Sequence, residues 1–343
     1  MIPKLLLFIL LCLTMTSCVI TRDVQTTRIE LMKPGIFKIP ENIRTVALIN
    51  SIPKNDDNEP FRYYNTLIYE KNIFIDHESK AFETDTTIKY RELSNSTLDA
   101  LAWALKKEGY FGTVINYHDS LDHINPSDKE PYNPEKLFQE TKSDLCIFLN
   151  YINFDISKYK DFESATNNAS LYWTIVYQKD TVSYNYKQID SLTFDTADFP
   201  HDIPSKIKLK IVVNNSARYL GQSFCSKLIP TWIQVDRMYY TSKNQNMIQA
   251  EKFALNNDWR KAAELWNLQT RSQNKKIAAK ASYNMALGCE MEGNQDAAID
   301  WLLRSRTILT KNNEDHKANC QEYINILTQR KKEIEKLNQQ VRK

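Results

Sequence analysis

An internal repeat in the last third of the chain constrains the fold more than any other feature. When Ala262 is aligned with Ala298, an offset of 36 residues, small and large side chains recur at matching positions. The packing residues of the two segments are Ala250, Phe253, Trp259, Ala262 and Trp266, followed by Ala286, Gly293, Ala298 and Leu302. Because small residues let two helices approach closely, this pattern predicts paired helices over residues 249–309.

The offset is close to the period of about 34 residues that is typical of tetratricopeptide repeats, which are helix–turn–helix units. The segment resembles this repeat family, whose members bind partners and rarely catalyse. A further apolar pattern with many charges, from Asp315 to about Gln340, predicts a helix that caps one end. We therefore expect residues 242–343 to form an all-α, tetratricopeptide-like domain with a C-terminal capping helix.

The first residues have the pattern of an export signal. Lys4 supplies a positive charge, Leu5–Leu13 form a short apolar run, and Met15-Thr16-Ser17-Cys18 follow. Small residues before a cysteine resemble the bacterial lipobox, although methionine stands where leucine is commonest. The resemblance implies a signal peptide over residues 1–17 and a lipid on Cys18. The alternative is an ordinary secretory signal with a chance cysteine.

Lipidation would make the membrane a partner of the chain. Val19 follows Cys18, where aspartate is the inner-membrane retention signal of enterobacterial lipoproteins, so the resemblance implies an outer-membrane anchor. Residues 18–40 are polar without sustained periodicity, which suggests a tether. The net charge of +3 is too small to indicate a nucleic-acid partner.

Between the tether and the repeats, the pattern alternates between strands and helices. Short β-branched or alternating runs predict strands near residues 44–50, 110–115, 144–150, 171–177 and 181–186. Leu98, Leu101 and Leu105 form an apolar helical stripe, with Ser96 as its expected N-cap. We expect an α+β fold, a mixed α/β sandwich over residues 41–241 with an insertion near 54–93, before the helical domain.

Part of this pattern resembles known lipoprotein domains. The residues that carry the likeness are the strand Val46–Ile49, the leucine-rich helix, the turn Gly109-Tyr110-Phe111 and the strand Asp144–Ile147. They are similar to the periplasmic domain of the curli-secretion family and the penicillin-binding-protein activators. The whole order resembles uncharacterised tetratricopeptide lipoproteins of Bacteroidota. The curli-secretion family and the penicillin-binding-protein activators are not enzymatic, and the resemblance implies no site residues.

The sequence contains no phosphate loop, dinucleotide fingerprint or zinc-protease motif, so we predict no catalytic residue, metal site or cofactor. Three alternatives remain open. His118 and His123 flank Asp119 and Asp122 in a polar loop that could ligate a metal. Cys289 and Cys320 could form a disulfide, although buried free thiols are the favoured state. The aromatic residues Trp173, Tyr177, Trp259 and Trp266 could stack on sugars, although core packing is the favoured role.

Two functional hypotheses follow. The favoured one is a non-enzymatic, lipid-anchored envelope protein that acts as an interaction or assembly module for an unidentified envelope protein. The alternative is a cell-envelope enzyme, hydrolase-like, whose site is assembled from residues far apart in the sequence.

Overall fold

The structure is a computed structural model that describes residues 23–52, 62–68, 76–81, 89–117, 134–159, 164–178, 183–195, 205–309 and 313–340. The contacts divide the chain into two compact units. The sheet unit comprises residues 33–231 and 337–343, and the helical unit comprises residues 1–32 and 232–336.

The sheet unit alternates strands and helices, as the sequence predicts. Its strands are β2 (Thr45–Asn50), β3 (Arg62–Ile68), β4 (Asp76–Ala81), β5 (Thr113–Tyr117), β6 (Leu145–Tyr159), β7 (Ser164–Tyr177) and β8 (Ser183–Asp195). Its helices are α1 (Tyr90–Glu108), α2 (Pro134–Thr141) and α3 (Ser205–Leu228). The mixed α/β class expected from the sequence is therefore confirmed.

Strand β6 organises the sheet. On one side it pairs with antiparallel β7 along most of its length, and β7 pairs in turn with antiparallel β8. On the other side it pairs with two parallel strands in succession, β2 alongside Leu145–Leu149 and β3 alongside Asp155–Tyr159. Strand β5 lies parallel to the far edge of β2, and β4 is antiparallel to β3.

Helices cover both faces of this sheet. Leu98, Leu101 and Leu105 of α1 join α3 in the main core over one face, and Leu137 and Phe138 of α2 pack in a smaller core on the other. Strand β2 is consequently buried along almost its whole length, which explains its unbroken apolar run.

Helix α1 begins earlier than the sequence suggests. Its N-cap is Lys89, not Ser96, so Tyr90–Leu93 belong to the helix and not to the expected insertion near 54–93. The hydroxyl groups of Ser94 and Thr97 donate to carbonyl oxygens of the preceding turn, which satisfies them inside the helix. The helix ends at Gly109, which has a left-handed φ of 64°.

The helical unit contains a two-stranded sheet and five helices among its described residues. The strands are β1 (Val24–Lys33) and β9 (Thr231–Tyr240), and the helices are α4 (Gln245–Leu255), α5 (Trp259–Gln269), α6 (Lys275–Met291), α7 (Gln295–Ile308) and α8 (Glu314–Gln340). The last turn of α8 is counted with the sheet unit. Consecutive helices from α4 to α7 pack against one another.

Strand β1 corrects the expectation of a tether over residues 18–40. Thr241 N donates to Asp23 O, and side chains of Arg28 and Glu30 contact Asp236 and Gln234, so β1 and β9 run antiparallel. The tether interpretation failed because β1 is mostly exposed and its partner lies about 200 residues away, which leaves no local apolar period to detect.

The contacts also place β9 with the helices. The division falls between Thr231 and Trp232, whereas the sequence suggested a boundary at 241/242. Tyr239 and Tyr240 at the end of β9 are buried in the two cores of the helical unit. No helix in the part of the chain that the structure describes is long and apolar enough to cross a membrane.

Candidate functional site

Strand β9 is held against helix α6 by an asparagine side chain, which makes the two backbone hydrogen bonds that a neighbouring strand would otherwise make. Tyr240 N donates to Asn284 Oδ1 at 2.7 Å, and Asn284 Nδ2 donates to Tyr240 O at 2.7 Å. Asn284 is fully buried, so both backbone groups would otherwise lack water and a partner. This amide therefore fixes the position of β9 on the helices.

A buried ion pair fixes the same strand three residues earlier. Arg237 Nε lies 2.9 Å from Glu290 Oε2, and Arg237 Nη2 lies 2.9 Å from Glu290 Oε1. The hydroxyl of Tyr323 donates to the same carboxylate, and the guanidinium lies 5.8 Å from the Tyr323 ring centroid. Burial alone would lower the pKa of Arg237, but hydrogen bonding and the charge of Glu290 together raise it. The charge of Arg237 is thus compensated by the Glu290 side chain within hydrogen-bond distance.

A second polar cluster surrounds His316, which burial keeps neutral by lowering its pKa. His316 Nε2 lies 3.0 Å from Ser305 Oγ, and His316 Nδ1 lies 3.1 Å from the Tyr240 hydroxyl. Ser305 Oγ donates to Ala279 O at 2.8 Å, so its one proton is committed and we assign His316 Nε2 as the donor. The Tyr240 hydroxyl then donates to Nδ1.

With these proton positions, Ser305 and His316 differ from a catalytic nucleophile and its general base. In a catalytic pair the hydroxyl gives its proton towards the histidine, whereas here it points to a carbonyl. Cys320 Sγ lies 3.6 Å from His316 Nε2, but burial raises the pKa of this thiol to about 11. A reactive cysteine needs the opposite shift and access to solvent. The contacts therefore support packing of α8 against α6 and α7.

An open pocket of about 130 Å³ lies beside this framework. We call it the β9 pocket; it is lined by Asp236–Met238 of β9, Tyr283 of α6, and Asn319, Glu322, Tyr323 and Ile326 of α8. Its volume corresponds to about four water molecules at about 30 Å³ each. At its base lies Arg237, which is hydrogen-bonded to Glu290. At its rim lie two exposed carboxylates, those of Asp236 and Glu322.

The repeat residues predicted from the sequence divide between the two cores of the helical unit. Ala250, Ala262 and Trp266 meet in one core, with Phe253 and Trp259 packed against it at partial burial; Ala286, Ala298 and Leu302 meet in the other. Gly293 lies in the turn between α6 and α7 with a left-handed φ of 76°. None of these nine residues lines the β9 pocket.

The other predicted positions have different outcomes. Cys18 and the loop with His118, Asp119, Asp122 and His123 lie outside the described residues. The described residues contain no group of side chains that could hold a metal ion.

The four cysteines within the described residues, Cys146, Cys225, Cys289 and Cys320, are all free thiols. Trp173, Tyr177 and Trp266 are buried in cores, so they offer no sugar-stacking surface. Trp259 is partly buried against the first core of the helical unit.

Sequence reasoning missed the residues that build the pocket. Arg237 and Glu290 are 53 positions apart, and Tyr323 is a further 33 positions along the chain. The available signal was weak: an arginine inside a strand-like run, and a glutamate on the small-residue face of the second repeat.

Comparison with protein families places the chain in a group of related sequences. A family model described as domain of unknown function DUF8603 matches residues 43–240, which is more than half of the 343 residues. The chain belongs to this family. A second model, described as domain of unknown function DUF6340, matches residues 248–329 of the helical unit. A comparison with curated proteins found no match.

Three solved structures show distant likenesses. A crystal structure of an uncharacterized protein has a TM-score of 0.26 at 11% identity, covering 56% of this chain and 97% of its own. The hypothetical protein CT253 from Chlamydia trachomatis has a TM-score of 0.26 at 10% identity, covering 52% and 97%. Lipoprotein GNA1162 from Neisseria meningitidis has a TM-score of 0.22 at 15% identity, covering 51% and 98%. TM-scores this low support no conclusion about the fold or the function of this chain.

Proposed function

We propose that this protein is a non-enzymatic, lipid-anchored envelope protein whose helical unit docks another envelope protein. The observation that carries the proposal is the β9 pocket, which is open to a guest while the buried charges behind it already compensate one another. The pocket is preformed, and the buried charges beneath it already compensate each other. Such a site can bind a group of a partner protein without rearrangement of its own side chains.

We propose further that α4–α7 are two tetratricopeptide-like units, which relates the chain to the Bacteroidota lipoproteins named above. The support is local geometry that repeats with the sequence offset. Asn257 and Gly293 both have left-handed φ angles, of 58° and 76°. The next residues, Asp258 and Asn294, both accept a backbone N–H as N-caps of α5 and α7.

Lipidation of Cys18, and anchoring at the outer membrane, are the remaining parts of the proposal. Strand β1 begins at Val24, six residues after Cys18 in the sequence. A fully extended chain spans at most about 3.5 Å per residue, so this connection reaches about 20 Å. The helical unit would therefore be held close to the membrane surface, and not at the end of a long tether.

Two measurements on the full chain test the proposal. The Cys18→Ser variant should leave the membrane fraction and fail to incorporate radiolabelled fatty acid; membrane retention at the wild-type level would reject the anchor. Crosslinking mass spectrometry in intact cells should place intermolecular crosslinks mainly within residues 232–336. Crosslinks confined to residues 41–231 would reject docking through the helical unit.

A further inference from the structure

Strand β1 has two edges, and the sheet of the helical unit uses one of them. Among the described residues, β1 pairs with β9 alone, so its outer edge is the margin of a two-stranded sheet. Three contacts define how the two strands are aligned: Asp23 lies opposite Thr241, Arg28 opposite Asp236, and Glu30 opposite Gln234. The first contact is a backbone hydrogen bond from Thr241 N to Asp23 O, so the backbone groups of Asp23 face β9.

This alignment decides which backbone groups of β1 face outwards. Backbone groups alternate between the two edges of a strand, so those of the even-numbered residues are directed to the outer edge. A separate contact agrees, because Met32 O accepts a hydrogen bond from Arg330 Nη1 at 2.6 Å and is therefore not committed to β9. Arg330 closes the outer edge at Met32, which leaves the stretch around Arg28 and Glu30 open. An open edge of this kind is a template for an added strand.

The side chains on this open stretch carry one charge of each sign. Arg28 Nε donates to Asp236 Oδ1 at 3.3 Å, and Gln234 Nε2 donates to Glu30 Oε1 at 3.3 Å, both in exposed positions. Exposed contacts of this kind are weak, so both charges remain available to a further strand. An antiparallel second copy of β1 presents the same two charges in the reverse order, so the edge is complementary to itself.

The charges also select the register of such a pair. Outward backbone groups belong to even-numbered residues, so an even-numbered residue must lie opposite another. With Arg28 opposite Glu30 of the second copy, two ion pairs form around a twofold axis at Ile29, and each residue of the interface has the same role in both copies. A shift of two residues in either direction places Arg28 opposite Arg28 or Glu30 opposite Glu30. Opposite charges across a strand pair are stabilising and like charges are destabilising.

We propose that two copies of this chain associate by antiparallel pairing of their β1 strands, with Arg28 of each copy opposite Glu30 of the other. Each of these residue pairs exchanges two backbone hydrogen bonds, so four bonds join the two β1–β9 sheets into one sheet of four strands. Each Arg28 then lies between Asp236 of its own chain and Glu30 of the second copy. The interface is short, which is typical of a weak and reversible dimer. It is separate from the β9 pocket and goes beyond the proposed docking function.

Cysteine crosslinking in intact cells tests the register. Full-length chains with Arg28→Cys and with Glu30→Cys carry different epitope tags, and mild oxidation follows their expression together or singly. Directly opposite residues have Cα atoms about 5.5 Å apart, within disulfide range, whereas two copies of position 28 lie on a diagonal of more than about 7 Å. We expect a disulfide-linked dimer of the two variants at a yield at least fivefold above that of either variant alone.

Gln234→Cys is the matched control, because it introduces an exposed cysteine on β9, one strand farther from the second copy. A mixed-dimer yield no higher than that of the control would overturn the proposal. Equal yields from the single variants and from the mixture would overturn the register.

Charge reversal tests whether complementarity stabilises the pair, measured by sedimentation equilibrium of the purified full-length chain in detergent. Glu30→Arg should weaken the dimer at least tenfold, because each Arg28 then faces an arginine. The double variant Arg28→Glu/Glu30→Arg restores opposite charges and should return the affinity to within about threefold of the wild type. Glu264→Arg, the same charge change at an exposed position on α5, should leave the dimer unaffected. A wild type that remains monomeric, a Glu30→Arg dimer as tight as that of Glu264→Arg, or no recovery in the double variant would refute the proposal.

Discussion

Asn284 and Tyr240 form a reciprocal pair in which one side-chain amide satisfies both backbone groups of a strand residue, with both distances at 2.7 Å. The pair joins positions 44 residues apart and attaches β9 to the second helix pair. The candidate site depends on this attachment, because Arg237 and Met238 on the same strand form one wall of the pocket.

Replacing Asn284 by alanine should therefore loosen the strand. The substitution leaves a buried N–H and a buried carbonyl without partners, at about 1–3 kcal/mol each. We expect the free energy of unfolding of the helical unit to fall by about 2–6 kcal/mol, measured by denaturant titration with hydrogen exchange at α6. Asn267→Ala, at an exposed position on α5, should change it by less than about 0.5 kcal/mol. Similar losses in both variants would refute the role of the pair.

Removing one member of the buried ion pair should be more costly than removing both. Glu290→Leu leaves the Arg237 guanidinium buried without its counter-charge, which costs about 3–5 kcal/mol. The double variant Arg237→Met/Glu290→Leu should recover most of this loss, because neither charge remains to be desolvated. Urea denaturation of the wild type, the single variant and the double variant measures the difference. A double variant as unstable as Glu290→Leu would contradict this explanation.

The stability of the helical unit should depend on pH through His316. Burial, and to a smaller extent Lys280, lower the pKa of this imidazole from its ordinary value of 6.5, outweighing the opposing effect of the hydrogen bond with Ser305. Below about pH 6.5 the unfolded chain then binds more protons than the folded chain, so the free energy of unfolding falls as pH decreases.

The variant His316→Gln isolates this contribution. It should show a smaller loss of stability between pH 7 and pH 5 than the wild type, measured by thermal unfolding in matched buffers. Glutamine cannot take up a proton in this pH range. The substitution therefore removes only the part of the pH dependence of the free energy of unfolding that is due to His316. An unchanged slope would show that other groups control the pH dependence.

In the sheet unit, Gly221 sets the distance between α3 and α1. A Cβ atom at this position would lie 2.0 Å from Thr97 O and 3.1 Å from Leu101 N, both backbone atoms that cannot move independently of α1. Gly221→Ala should therefore destabilise the sheet unit by about 1–3 kcal/mol or more, measured by chemical denaturation. At Gly112 the nearest atom would be 3.6 Å away, so Gly112→Ala should be nearly neutral. Equal effects at the two glycines would disprove the close-packing explanation.

The sequence was most informative where apolar periodicity is local. The leucine stripe of α1 and the unbroken apolar run of β2 indicated the correct elements, because both are buried by the sheet unit's own layers. Strand β8 continues to Asp195, well beyond the strand that the alternation predicted near 181–186. One of its faces stays largely exposed, so polar residues are compatible with pairing to β7.

The candidate site was not predictable in the same way. Arg237, Glu290 and Tyr323 belong to a strand and two helices, and their charges and hydroxyl meet only after the helices have packed. No spacing in the sequence records such a contact. The repeat residues were detectable because their small side chains recur, but they form the cores behind the site and do not line it.

Docking through the helical unit is tested most directly by site-specific photo-crosslinking in living cells. A photo-reactive residue is placed at Ile326, which lines the pocket, or at Lys332, which is exposed farther along the same helix. We predict an adduct with an envelope protein from position 326 at a yield at least fivefold above that from position 332. The absence of an adduct at 326, or equal adducts at both positions, would contradict the proposal.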